Sequence, residues 1–414
     1  MIGDPFIHKL KYNQFLLKRK IENIFIFPFI LLGRLIAKFN PLHREYEVFF
    51  FFPFYHIGGA EKVHYQIAGA RGNNNCIIYF TRKSNNDLYY RYFERSGCTM
   101  KDISKWTDNK FLYFNNLVSR GIISYYINRQ KQKPVVFNGQ CNFGYKISPW
   151  INKDIPQLEL IHSLCSFSYI RIPFIQFYYR TIMISKKRIE DHERLYDRFH
   201  IPGHFKNNIN FILNGVPIPS ETKTFHQTAL STLNVLYVGR DTEEKRVHLI
   251  AAVAKEITGT RKINAKFSFM GDVANAIPTE LHPYCTFLGN QSDEAAIHNI
   301  YLQNNILLML STTEGFPMAI MEAMARGLAI VSTDVGEISR HVKNAVNGYL
   351  IREIENDNEV LQHAVNRISE LALDHKLLQQ MGINNVAHAR AEFSLEKFNE
   401  SYRQLFREAK SHYA

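Results

Sequence analysis

The stretch Ile306-Leu-Leu-Met-Leu-Ser-Thr-Thr-Glu-Gly-Phe-Pro-Met-Ala-Ile-Met-Glu-Ala-Met-Ala-Arg-Gly-Leu-Ala-Ile-Val331 holds two apolar runs joined by a short loop and a segment of helical composition. The first run, Ile306 to Leu310, has no polar interruption, which suits a strand buried on both faces of a parallel sheet. Pro317 stands where a helix can begin without losing a hydrogen bond, and Gly327 where it can stop. Ala329 to Val331 then begins another strand. Strand, crossover helix and strand in this order predict a βαβ unit and an α/β fold.

Working outward, the same pattern recurs. Asn234 to Val238 runs into Gly239-Arg240, with a helix from about Val247. Phe267 to Met270 precedes Gly271-Asp272, and Thr286 to Leu288 precedes Gly289. Each strand ends in a small or polar turn, where open parallel sheets bind ligands. Upstream, Glu47 to Phe52 is a continuous apolar run followed by Gly58-Gly59-Ala60-Glu61 and a helical segment to Ala70. Cys76 to Phe80, Val135 to Phe137 and Leu158 to Ile161 are further strands. A chain of 414 residues exceeds one ordinary core, so two domains are expected. They are placed at 46–215 and 216–393, after an extension at 1–45 and before a polar helix at 394–414 able to cap either domain. Val216 to Thr232, with Pro217 and Pro219, is the expected hinge.

The net charge of +12 calls for an anionic partner, yet there is no zinc-finger spacing and no long basic block, which argues against nucleic acid. Five scattered cysteines without a CxxC pair read as reduced thiols of a cytoplasmic protein. The apolar stretch Ile24 to Ile36, broken by Pro28 and Arg34, is too short to span a bilayer, which takes ~20 apolar residues. With Lys9, Lys11, Lys18, Arg19 and Lys20 beside it, residues 1–40 either make peripheral contact with the inner face of the plasma membrane or form an extra helix on the first domain.

In the loop after Leu310, Glu314 and Gly315 lead to the amides around Phe316, Pro317 and Met318, which face outward at a helix N-terminus and can bind phosphate or sugar oxygens. Glu322 lies on a helix of Ala, Met and Ile, where a carboxylate needs a partner such as a ribose diol. Taken singly, each glutamate reads as an ordinary cap or surface charge. Gly58 and Gly59 would let the backbone come close to a ligand.

The frame Glu314-Gly-Phe-Pro-Met-Ala-Ile-Met-Glu322 resembles the E-x7-E motif of the retaining glycosyltransferases of family 4. Tyr237-Val-Gly-Arg-Asp-Thr-Glu-Glu-Lys245 is similar to that family's G-R-x4-K element, Asn214-Gly-Val216 to its domain junction, and Thr333-Asp-Val-Gly336 to its later loop. The resemblance runs from about Glu47 to Ile351 and implies the GT-B fold, two Rossmann-like domains with parallel sheets facing across a cleft. It implies a sugar moved from a nucleotide-diphosphate donor, UDP ahead of GDP, onto a glycan or lipid-linked glycan in cell-surface polysaccharide synthesis. Arg240 and Lys245 would neutralise the diphosphate, Glu314 orient the sugar, Glu322 hold the ribose and His162 hydrogen-bond the donor sugar. Gly58, Gly59, Gly315, Phe316, Pro317 and Met318 complete the expected donor site. Where the family has glycine after the lysine, this chain has Arg246, read as a further phosphate contact; where it often has a second glycine, this chain has Glu337.

No Asp-x-Asp occurs, so neither a catalytic metal nor a cofactor is expected. A dehydrogenase would show G-x-G-x-x-G after its first strand, which Gly58-Gly59-Ala60-Glu61 does not provide. A degenerate protein that binds nucleotide-sugar without turnover is the remaining alternative.

Overall fold

The computed structural model describes residues 11–109, 111, 113–219 and 231–412. The chain divides into two compact units, residues 1–213 with 398–414, and residues 214–397. Most of the expected hinge, 220–230, lies outside the described residues, as does Lys9.

The first unit is built on a seven-stranded sheet: β1 (Val48–Phe52), β2 (Cys76–Phe80), β3 (Thr99–Asp102), β4 (Val135–Asn138), β5 (Gln157–Ile161), β6 (Arg180–Met183) and β7 (Ile209–Phe211). Its order is β3-β2-β1-β4-β5-β6-β7, and every neighbouring pair is parallel. All five β1 residues are buried, because alternate side chains meet covers on opposite faces. Phe49 and Phe51 join Ile123 and Ile127 of the Tyr113–Asn128 helix, while Phe50 meets the Phe406 ring at 5.8 Å. The Leu395–His412 helix therefore belongs to the first sheet from Phe398 onward. It is amphipathic where the sequence reads it as merely polar, burying Phe398, Tyr402, Leu405 and Phe406.

The basic, apolar extension forms one helix, α1 (Tyr12–Phe39), which continues through Pro28. It crosses the Tyr113–Asn128 helix where Gly33 and Gly121 bring the backbones together; a Cβ on Gly33 would lie 2.1 Å from the Val118 carbonyl oxygen. Within β5, buried Glu159 accepts from the Arg171 guanidinium and from the Thr181 hydroxyl at 2.6 Å, and Arg171 also donates to the Tyr196 hydroxyl at 2.9 Å.

The second unit repeats the plan with β8 (Leu233–Val238), β9 (Ala265–Met270), β10 (Cys285–Gly289), β11 (Ile306–Met309), β12 (Ala329–Thr333) and β13 (Gly348–Ile351). The order is β10-β9-β8-β11-β12-β13, again parallel throughout. Both sheets reverse their winding direction once, at β1/β4 and at β8/β11. These switch points leave the loops beyond the strand ends parted, and ligands of open α/β sheets bind there. The strands absent from the sequence reading, β3, β6, β7 and β13, lie toward the sheet edges, where short or mixed sequences suffice.

Candidate functional site

In the second unit, the loops after β8 and β11 leave neighbouring strands at the switch point. Val238 passes into Gly239, whose N–H donates to the Met270 carbonyl at 3.1 Å, and the Tyr237 hydroxyl donates to the Arg240 carbonyl at 2.8 Å. The Arg240 backbone is thereby fixed while its side chain is exposed. A tight turn at Glu243–Lys245 follows, and the Thr312 N–H donates to the Glu244 carbonyl at 2.9 Å, tying this loop to the one after β11.

That tie sets Lys245 against Glu314, and the ammonium and carboxylate form an ion pair with both side chains largely buried. Burial raises the neighbouring Glu244 carboxyl, but the Thr242 hydroxyl, a backbone N–H, Lys245 and Arg240 outweigh it and hold the group below the usual carboxylate range.

Arg246 departs from its expected role. It adopts the left-handed backbone, φ 46°, that the family's glycine would adopt freely, and begins the Val247–Lys255 helix. Its guanidinium turns inward to the Leu310 carbonyl at 2.6 Å, the Ile354 carbonyl at 2.9 Å and Asp357 at 2.8 Å. The phosphate contact read from sequence is overturned, since the side chain fastens the end of β11.

Gly315 has open space where a Cβ would stand. Phe316 is buried, its ring stacked on His341 at 4.1 Å, so only its backbone is available to a ligand. Pro317 precedes the Met318–Ala325 helix and carries no N–H, which removes one of the three amides read from sequence; its carbonyl accepts from Ile320 at 3.1 Å. Met318 opens the helix, at the positions whose N–H groups have no intrahelical acceptor.

Glu322 is buried on this helix, and its carboxylate accepts from the Tyr301 hydroxyl at 2.8 Å. Tyr301, from the Glu294–Leu302 helix, is the partner that the apolar surroundings demanded. Nothing in the sequence near Glu322 announces it, because the two helices meet only in the fold. Gly336 is positive in φ at +64°, and a Cβ there would lie 2.3 Å from the Glu314 and Gly315 carbonyl oxygens. Glu337 next to it donates its N–H to the Gly315 carbonyl at 2.8 Å and turns its carboxylate back to Arg340. Lys245 and Glu314 are therefore brought together and braced, Arg240 lies exposed on the same loop as Lys245, and Glu322 has a separate partner.

In the first unit, Gly58 and Gly59 stand at the start of α2 (Gly59–Arg71). The Glu61 carboxylate folds back over Gly58, where a Cβ would lie 2.2 Å from it, whereas Gly59 is open. His162, after β5, shares a hydrogen bond between its Nε2 and Nε2 of His64 at 2.9 Å, and its backbone N–H donates to the Gln140 side-chain oxygen at 2.9 Å. Burial lowers the His162 imidazole to about 4, and burial together with His162 lowers His64 well below the ordinary range. His64 is buried against the Phe52 ring at 4.5 Å. The sequence reading passed over it; its one signal is its place a turn beyond Glu61 on the helix that follows the glycine loop. Among the described residues no cluster of His, Cys, Asp and Glu is arranged to hold a metal ion.

Residues 221–387 match the family model of glycosyl transferases group 1. The N-acetyl-alpha-D-glucosaminyl L-malate synthase of Bacillus anthracis is 26% identical over 180 residues, 42% of this chain and 44% of that protein. The lipopolysaccharide 1,2-N-acetylglucosaminetransferase of Salmonella typhimurium is 26% identical over 142 residues, 31% of this chain and 37% of that protein. The chain thus spans less than half the length of these curated relatives. Among solved structures, Anabaena HepE in complex with UDP and glucose aligns with a TM-score of 0.66 at 16% identity, over 87% of this chain and 99% of its own. The chain accordingly has the fold of the GT-B glycosyltransferases, and its second unit carries the match to their group 1 family.

Proposed function

We propose that the protein is a retaining, metal-independent glycosyltransferase resembling family 4, with the E-x7-E pair Glu314 and Glu322. It would move a sugar from a nucleotide-diphosphate donor, UDP ahead of GDP, to a hydroxyl of a glycan or lipid-linked glycan in cell-surface polysaccharide synthesis. The observation that carries this reading is the braced Lys245–Glu314 pair at the switch point of the second sheet, with Arg240 exposed on the same loop.

A nucleoside diphosphate departs readily only when the charge growing on it is stabilised. An ammonium has three donors, so Lys245 can keep Glu314 and still serve a phosphate oxygen. Arg240 and the amides of Phe316 and Met318 add to that field, with Gly315 giving the donor room. Glu314 accepts from the sugar, and Glu322, placed by Tyr301, from the ribose. In the first unit, the open backbone at Gly59 gives a ligand room to approach, and neutral His162 offers a hydrogen bond to a sugar hydroxyl. The reaction belongs on the cytoplasmic side, with residues 1–40 in peripheral contact with the membrane.

The test is a thermal-shift screen with UDP, GDP, NAD and their sugar conjugates, followed by assay of donor hydrolysis and transfer. A selective shift with UDP or a UDP-sugar, together with turnover, supports the reading. Binding without turnover would instead identify a degenerate member, and a shift with NAD alone would sink the assignment.

A further inference from the structure

The inner face of α1 is fastened to the first unit. Ile30, Gly33 and Ala37 are buried, Arg19 lies over the Phe174 ring at 4.6 Å, and the Arg34 guanidinium donates to the Trp150 carbonyl at 3.3 Å. Its outer face is a different surface. Of the 20 exposed large hydrophobic residues among those described, 11 belong to this one helix. Ile24 is 67% exposed, Phe25 73% and Phe39 80%, and Leu17, Leu32 and Leu35 are each about half exposed. At 100° per residue these positions fall on the side opposite Ile30 and Ala37.

The border of that face is cationic. On the same wheel Lys18 falls on one edge and Lys20 and Lys38 on the other, all three exposed. The one carboxylate in α1, Glu22, is paired with Arg19 at 2.8 Å on the inner side. A second copy of this face would offer these lysines no acid to meet. Anionic lipid headgroups would meet them while the apolar centre enters the acyl boundary, which is how an interfacial helix binds.

The depth follows from Pro28, which is exposed on the apolar side. It supplies no N–H to the Ile24 carbonyl, and an unpaired carbonyl is costly in hydrocarbon but is hydrated at the interface. No helix among the described residues is long and apolar enough to cross a membrane.

We propose that the outer face of α1 is a bilayer-docking surface, lying in the plane of a membrane that carries anionic lipid. The helix is about 42 Å long at 1.5 Å per residue, so docking would hold the first unit along a line rather than at a point. This rests on the peripheral-contact part of the function proposed above and is independent of the transfer chemistry.

The test is co-sedimentation of the full chain with phosphatidylcholine vesicles, with and without phosphatidylglycerol. Wild type should bind the anionic vesicles at least tenfold more tightly. Phe25→Ser with Leu32→Ser and Leu35→Ser should lose binding to both, and Lys18→Glu with Lys20→Glu and Lys38→Glu should lose the anionic preference. These side chains are exposed, so unchanged thermal unfolding verifies the fold of each variant. Wild type that stays in the supernatant with both vesicles overturns the proposal. So does a dimer in sedimentation equilibrium that the serine variant converts to monomer without vesicle binding, since the face would then belong to a second copy. UDP-induced thermal shifts on the same preparations separate the two readings: vesicle binding without a UDP shift counts against the transferase alone, and the reverse against docking alone.

Discussion

The ammonium of Lys245 and the carboxylate of Glu314 form an ion pair that joins two loops leaving adjacent parallel strands. Neither loop places its residue alone: Thr312 binds the Glu244 carbonyl, and Gly336 allows the next loop to close on Glu314 and Gly315. The pair is thus positioned before any ligand arrives, as electrostatic catalysis requires.

Lys245→Ala removes the central cation. Turnover at saturating donor should fall by about 2–4 kcal/mol of transition-state stabilisation, roughly 30- to 1000-fold in kcat. Steady-state kinetics on the purified variant checks this, and a kcat near wild type would remove Lys245 from the mechanism.

Glu322 and Tyr301 separate binding from stability. Glu322→Ala should chiefly weaken nucleotide affinity, read by calorimetry. Tyr301→Phe removes the hydroxyl that donates to the buried Glu322 carboxylate and should cost about 1–3 kcal/mol of unfolding free energy. Unchanged nucleotide affinity in Glu322→Ala would refute the ribose contact.

Gly336→Ala is a backbone test. The residue sits at φ +64°, and its Cβ would collide with two carbonyl oxygens 2.3 Å away, so the loop must shift. A loss of about 1–3 kcal/mol is expected, accompanied by weaker donor binding. Wild-type stability in denaturant titration would show that the two loops do not brace each other.

His162 sets a pH dependence. Its folded imidazole is lowered to about 4, against an unfolded value near 6.5, so the unfolded chain binds more protons between those values. Stability from this group is complete above pH 6.5 and is lost as the pH falls toward 4, by roughly 2–3 kcal/mol. His162→Asn should flatten that part of the stability profile in urea titrations at stepped pH; an identical slope would mean the imidazole is not held neutral.

The Glu159–Arg171 pair is fully buried, so removing one partner strands a charge. Glu159→Ala should cost about 3–5 kcal/mol, whereas a combined Glu159→Leu and Arg171→Met change should cost less. Equal losses in the two variants, measured by equilibrium unfolding, would contradict a desolvation origin.

Much of the α/β pattern was legible in the sequence because strands buried on both faces leave continuous apolar runs. The Cys76 to Phe80 strand and the helix beginning at Val247 have the boundaries read from residue pattern alone. Edge strands were not legible: in Thr99–Asp102 only Met100 is apolar and Lys101 and Asp102 are exposed, so hydrogen bonding to β2 makes it a strand where apolar pattern does not.

The candidate residues divide in the same way. Sequence spacing determined that Glu314 and Lys245 follow strands and that a helix begins after Pro317, since these are local consequences of chain geometry. Only the tertiary structure decided what each side chain meets. It gave Glu322 a tyrosine from another helix, paired His162 with His64 across 98 positions, and turned Arg246 from solvent toward the Leu310 carbonyl. It also showed that α1 buries one face and exposes an apolar one, which the sequence had left between two readings. The physical reason is that periodicity reports which residues can share a face, whereas a partner for a charge or an imidazole is fixed only when distant segments pack and water is excluded.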